Sequence, residues 1–321
     1  MRFKVGDLVE VRSEAEILAT LDERGELDGL PFMPEMAAYC GRRLTVHKVA
    51  HKLCDTQTAT GLRKMERAVH LTGARCDGSG HGGCQTACSM YWKEAWIRRV
   101  EPGSAPATTA PPDAALRSLL QISTRRPPEA GEERFVCQAT ELLRAAPVCL
   151  PVRSLGQYVT DVRTGNAGPI RTLTSLFIGL FNRVQDSSKR FLPKRLRFLG
   201  GRRWGLLKPG LRGRTPTGSL GLRPGELVRV KSKQEILGTL NEHMLNRGLG
   251  FEEEMARYCG KVVRVRSRVE RCIDERTGRM LTMKQPCITL ENVICQGVYS
   301  LNCPREFVPF WREIWLERVS T

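Results

Sequence analysis

Histidine is scarce in this chain, and the familiar catalytic signatures are missing. The five histidines are His47, His51, His70, His81 and His243, and none is matched by another in the internal repeat described below. A duplicated histidine site is therefore excluded. There is no Walker loop, no His-Glu-x-x-His, no Gly-x-Ser-x-Gly elbow and no glycine fingerprint after a strand. P-loop nucleotide chemistry, zincin hydrolysis and α/β-hydrolase chemistry thus have no motif to rest on. No apolar run reaches the ~18 residues a membrane-spanning helix needs. Met1-Arg-Phe-Lys-Val-Gly-Asp passes directly into a strand pattern without an apolar leader, which predicts a cytoplasmic protein. Without an export signal, the twelve cysteines read as reduced thiols, metal ligands or reactive groups rather than a disulfide framework. The Cys-x2-Cys knuckle common in structural zinc sites is also absent.

Acidic residues are short in one place only. The net charge is +17, yet residues 6–100 carry 13 basic and 13 acidic side chains. Residues 225–319 carry 16 and 13, whereas residues 101–224 carry 20 and 8. The excess lies in the centre, so a negatively charged partner is expected there. Hydrophobic content of 41% with 26% charged residues is ordinary for a folded protein and excludes wholesale disorder.

What the sequence does contain is itself, twice. At a shift of 219 residues, positions 6–100 align without a gap onto 225–319, with 33 of 95 pairs identical. Average composition would give roughly 5–6 by chance. Glu35-Met-Ala-Ala-Tyr-Cys-Gly pairs with Glu254-Met-Ala-Arg-Tyr-Cys-Gly, and Trp92-Lys-Glu-Ala-Trp with Trp311-Arg-Glu-Ile-Trp. The chain reads as two copies of one module, at 1–100 and 225–321.

Each copy opens with Gly-Asp or Gly-Glu before Leu-Val-x-Val, a short strand. Ser13 and Glu16 predict a capping box for a helix burying Ile17, Leu18 and Leu21. Pro34 predicts the first turn of a second helix that buries Met36 and Tyr39 and stops at Gly41. Leu44, Val46 and Ala68–Leu71 suggest further strands, and the period of two in Trp-x-Glu-x-Trp suggests a closing one. Two tryptophans flanking a carboxylate fit a ligand-stacking face; the favoured expectation is that both fill one core face, with the Glu paired to an arginine such as Arg99 or Arg318. The Gly-Asp-Leu-Val-x-Val opening resembles the first strand of SH3-like barrels, including those of KOW-type modules. This resemblance implies a small barrel and no activity. The full repeat also resembles a bacterial family of two-repeat, cysteine-containing proteins. The expected class is α+β: two tandem SH3-like β-barrel modules with helical insertions, joined by a partly helical basic segment.

The centre divides in two. Residues 101–133, which contain Gly-Ser-Ala-Pro-Ala-Thr-Thr-Ala-Pro-Pro near their start, read as a flexible linker. Residues 134–224 regain apolar periodicity, with a helix expected over 135–146 and an amphipathic one over 173–184. Residues 187–214 then hold ten basic side chains and no acid: Lys189, Arg190, Lys194, Arg195, Arg197, Arg202, Arg203, Lys208, Arg212 and Arg214. Interleaved with Phe191, Phe198 and Trp204, they fit a phosphate-binding arm for nucleic acid. The same composition fits an acidic protein partner, peripheral contact with an anionic membrane, or a neutral connector.

Each copy carries five cysteines. Cys40, Cys76 and Cys84 match Cys259, Cys295 and Cys303, while Cys54 and Cys272 fall one residue out of register. Cys88, Cys287 and His81 are further candidate ligands near the same clusters. Four thiolates can surround Zn²⁺ or hold an iron–sulfur cluster. Buried thiols without any metal explain the same residues. If a single cysteine acts as a nucleophile, Cys76 beside its glycine-rich loop is the choice. The leading expectation is a non-enzymatic binding or scaffold protein with structural zinc; the rival is a metal- or thiol-dependent enzyme.

Overall fold

A computed structural model describes residues 2–101, 103, 112–129, 131–204 and 213–319. It divides into two compact units. The first comprises Met1–Thr172, Arg271–Thr282 and Asn302–Glu306; the second comprises Leu173–Glu270, Met283–Leu301 and Phe307–Thr321.

The first unit is built on a five-stranded antiparallel sheet. Its strands are β1 (Leu8–Val11), β2 (Arg43–Val49), β3 (Ala68–Arg75), β4 (Ser89–Lys93) and β5 (Ile97–Arg99), in the spatial order β4-β3-β2-β1-β5. Val9 and Val11 are fully buried while Leu8, at the start of the strand, is exposed. The sheet of the second unit contains β6 (Leu227–Val230), β7 (Val262–Ile273), β8 (Met280–Leu290) and β9 (Leu316–Arg318), in the order β8-β7-β6-β9. The far ends of β7 and β8 belong to the first unit. Registers recur at the 219-residue shift: Val9 opposes Leu44 and Arg99, and Val228 opposes Val263 and Arg318. Both sheets curl into half-barrels, giving two barrel-like modules in a mixed α and β chain.

The helices follow their local signals. Ser13 and Glu16 form the capping box of Glu14–Leu18, and Ser232 and Glu235 form that of Lys233–Leu237. Pro34–Ala37 has its proline in the first turn and buries Met36. Gly41 and Gly260 follow the second helices at φ +74 and +78, a backbone shape that a side chain would strain. The tryptophans are core. Phe32 meets Trp92 and Trp96 edge to face at 6.3 and 5.2 Å, and Phe251 meets Trp311 and Trp315 at 6.1 and 5.5 Å.

Several expectations need correction. Trp-x-Glu-x-Trp is not one strand: β4 ends at Lys93 and Glu94–Trp96 is a 3₁₀ turn that redirects the chain into β5. That turn brings both rings to the same core. Glu94 accepts the Arg2 N–H, and Arg99 pairs with Asp7 instead. Arg318 likewise pairs with Glu226, while Glu313 pairs with Arg268. The linker composition does not extend to residue 133. Asp113 caps a helix over Ala114–Ser123 that buries Leu116 and Leu120, and a hairpin of Arg125–Glu129 with Glu132–Phe135 follows. Over 135–146 only Leu142–Ala145 is helical, because Gln138 turns inward to bond the backbone of Pro31 and Tyr91. The amphipathic helix is longer than its apolar stripe and spans Pro169–Phe191. Among the described residues, no helix is long and apolar enough to cross a membrane.

Candidate metal and thiol centre

Three side chains converge at one end of the first unit. Glu35 comes from the first turn of Pro34–Ala37, Cys76 directly follows β3, and His81 sits in the glycine-rich loop beyond it. The loop closes so tightly that glycine is required. A Cβ on Gly78, which has φ +76, would lie 2.1 Å from the Cys84 carbonyl oxygen. One on Gly82, at φ +60, would lie 2.6 Å from the Phe135 ring.

The ligand atoms of Glu35, Cys76 and His81 all lie within 4.8 Å of one another, the one such group among the described residues. Glu35 Oε1 lies 2.7 Å from His81 Nδ1 and accepts the Gly80 N–H at 3.0 Å and the Cys76 thiol at 3.6 Å. Glu35 Oε2 is buried without a partner. His81 Nε2 lies 3.0 Å from the Val136 carbonyl oxygen, which can only accept, so Nε2 carries a proton. Burial pushes the Glu35 carboxyl up, but the His81 hydrogen bond and charge more than offset this and hold it below the ordinary value. Burial, reinforced by the Glu35 charge, pushes the Cys76 thiol far up. Burial also raises Cys88 to about 12 and Cys137 to about 11. Cys76, His81, Cys84, Cys88, Cys137 and Arg305 wall a cavity of about 40 Å³.

A second thiol group lies in the same unit. The Cys54 N–H donates to Cys303 Sγ at 3.1 Å, and the Ile273 N–H donates to Cys84 Sγ at 3.4 Å. These are one contact made twice, because Ile273 and Cys303 are the repeat positions of Cys54 and Cys84. Beside them Arg305 donates to Thr56 Oγ1 at 2.8 Å and forms an ion pair with Glu275, whose carboxylate also accepts the Thr56 hydroxyl. Hydrogen bonding by Cys303 outweighs burial and, with the Arg305 charge, draws the Cys54 thiol down to about 7.

The remaining predicted ligands are dispersed. Cys40 sits near Glu14 and Arg117, and burial raises it to about 12. Cys259 lies near Lys233, and Cys287 accepts from Arg312 at 3.4 Å. Cys295 belongs to the second unit and Cys303 to the first, while Cys272 lies in the part of β7 assigned to the first. In the second copy Glu254, the match of Glu35, accepts the Gln296 and Tyr299 N–H groups, and Ser300 occupies the position of His81.

Within the basic arm, Lys189 and Arg190 end the helix Pro169–Phe191. Arg203 pairs with Asp186, and Arg197 folds back onto the Leu192 and Lys189 carbonyls. Arg195, Arg202 and Arg214 are exposed; Lys208, Arg212 and the Lys194 side chain lie outside the described residues. Trp204 packs on Phe177 and Phe181, and Phe198 on Phe181.

Sequence reasoning missed Glu35, Glu275, Arg305 and Cys137. Glu35 had a signal, since it opens a stretch in which six of seven residues match between the copies. Arg305 had none, because its repeat position is Thr86. A scan against protein-family models finds no match for the chain, and searches of curated proteins and of solved structures find none either.

Proposed function

We propose that the first unit is a metal-binding module that holds one Zn²⁺ through Glu35, Cys76 and His81. Two of these residues, Cys76 and His81, also line the thiol-walled cavity. The carrying observation is the convergence of these three ligand atoms, on buried Glu35 and His81 and half-buried Cys76, with Glu35 Oε2 left without a hydrogen bond. Carboxylate, thiolate and imidazole are a normal zinc set, with bonds of about 2.0–2.3 Å. Closing this group around the ion takes side-chain shifts on the order of an ångström. The Val136 carbonyl supports the reading: it holds His81 by Nε2 and leaves Nδ1 toward the other ligands, the usual outer-shell arrangement. Binding displaces the proton of the Cys76 thiol, so affinity falls as pH falls. The barrel-like modules, read as SH3-like, are the scaffold, and the role is binding rather than catalysis.

Two equivalent modules would hold two ions; this chain is expected to hold about one zinc, because only the first copy supplies the full set. Elemental analysis of protein purified without chelator reads the ratio directly. Glu35→Gln, Cys76→Ser and His81→Asn should each lower it severalfold, while Cys295→Ser leaves it unchanged. Folded wild-type protein free of zinc would sink the proposal, as would Cys76→Ser protein that keeps its zinc. Iron with a brown chromophore would replace it by an iron–sulfur centre.

A further inference from the structure

We propose that Cys54 is the attacking thiol of a thiol–disulfide exchange site, with Cys303 as its resolving partner and low-molecular-weight disulfides as the substrate class. This goes beyond the zinc reading and uses none of its three ligands.

The geometry divides the two roles. The Cys54 backbone N–H donates to Cys303 Sγ, which seats the two residues side by side, yet Cys54 is partly exposed whereas Cys303 is only 5% exposed. An exchange site needs this asymmetry: one sulfur reachable by a small molecule, and a second reachable only by the first. The Arg305 guanidinium, itself 5% exposed, supplies a fixed positive charge beside Cys54. Thr56 and Glu275 hold that guanidinium in place. Cys149 offers the contrast, an exposed cysteine in the same unit.

The chemistry balances in two displacements. Cys54, having lost its proton, attacks one sulfur of R–S–S–R; the substrate S–S bond breaks, and the departing thiolate takes up a proton. Cys303 then loses its proton and attacks Cys54 Sγ, expelling the second thiolate, which is likewise protonated. Two protein thiols are oxidised by two electrons, and the disulfide is reduced to two thiols. The product bond would join repeat positions 54 and 303 covalently and pin Asn302–Glu306 within the first unit.

The test treats reduced full-length protein with oxidised glutathione, followed by acid quenching, alkylation and peptide mapping. The expected product is a Cys54–Cys303 cross-link with about two glutathiones released per chain, the balance of exchange. Cys303→Ser should stop at a glutathione adduct on Cys54. The rate at Cys54 should level off above pH about 7. Glu35→Gln protein should still form the cross-link even where its zinc is lost, which separates this site from the metal. Wild-type mapping decides without any variant. Adducts at Cys149 with Cys54 untouched, or a bond from Cys54 to any other cysteine, would overturn the proposal.

Discussion

His70 is fully buried on β3, with Nδ1 donating to the Met90 carbonyl at 3.0 Å and Nε2 lacking any partner. Burial dominates its titration and lowers its pKa to about 4. The unfolded chain takes up this proton near pH 6.5, but the folded chain refuses it until about 4. Between those values the unfolded state binds more protons, so stability falls as pH falls through that window. The loss is on the order of 3 kcal/mol by pH 4, and urea unfolding at pH 7 and pH 4.5 should reveal most of it. His70→Phe should flatten the dependence; an unchanged slope would show that other groups set it. At this scale the sequence was legible where residue types repeat. Matched Trp92 and Trp311 were readable as core, and the Ser–Glu boxes as helix starts, because both signals are local. Arg305 and Glu275 were not, because their meaning comes from contacts about 200 or more residues away in sequence.

Among elements, the helix Gly156–Thr164 depends on one ionic group. Its Asp161, fully buried, accepts from His51 Nε2 at 2.8 Å and from Lys52 Nζ at 2.6 Å, and Lys52 is equally buried. Desolvation outweighs Asp161 at both cations and lowers the His51 and Lys52 pKa values. Removing the carboxylate leaves a buried ammonium with no counter-charge. Asp161→Ala should therefore cost about 3–5 kcal/mol, measured by denaturant unfolding, with faster amide exchange in this helix than in β1. Equal protection of helix and strand in the variant would refute the dependence. This helix lies in the stretch whose composition gave only a basic, partly helical segment. Periodicity carries no information about which buried charge an isolated Asp will meet.

For the whole molecule, the units do not follow the repeat boundaries. The first unit recruits Arg271–Thr282 and Asn302–Glu306 from the second copy, a rearrangement that no linear pattern in the sequence marks. A chain ending at Thr172 lacks the partners of Cys84, Cys54 and Thr56, and should be less stable than the same unit in the full chain. Its denaturant midpoint, compared with that of the full protein, checks this; identical midpoints would mean that the recruited segments contribute nothing. Thr56 and Glu275 carry a last consequence, because they are the same repeat position and touch each other. Threonine at both positions would keep a hydroxyl pair able to bond, whereas glutamate at both would set carboxylate against carboxylate. In this chain a hydroxyl stands opposite a carboxylate, and the Arg305 guanidinium joins that carboxylate, so the position carries a neutral bond and an ion pair together.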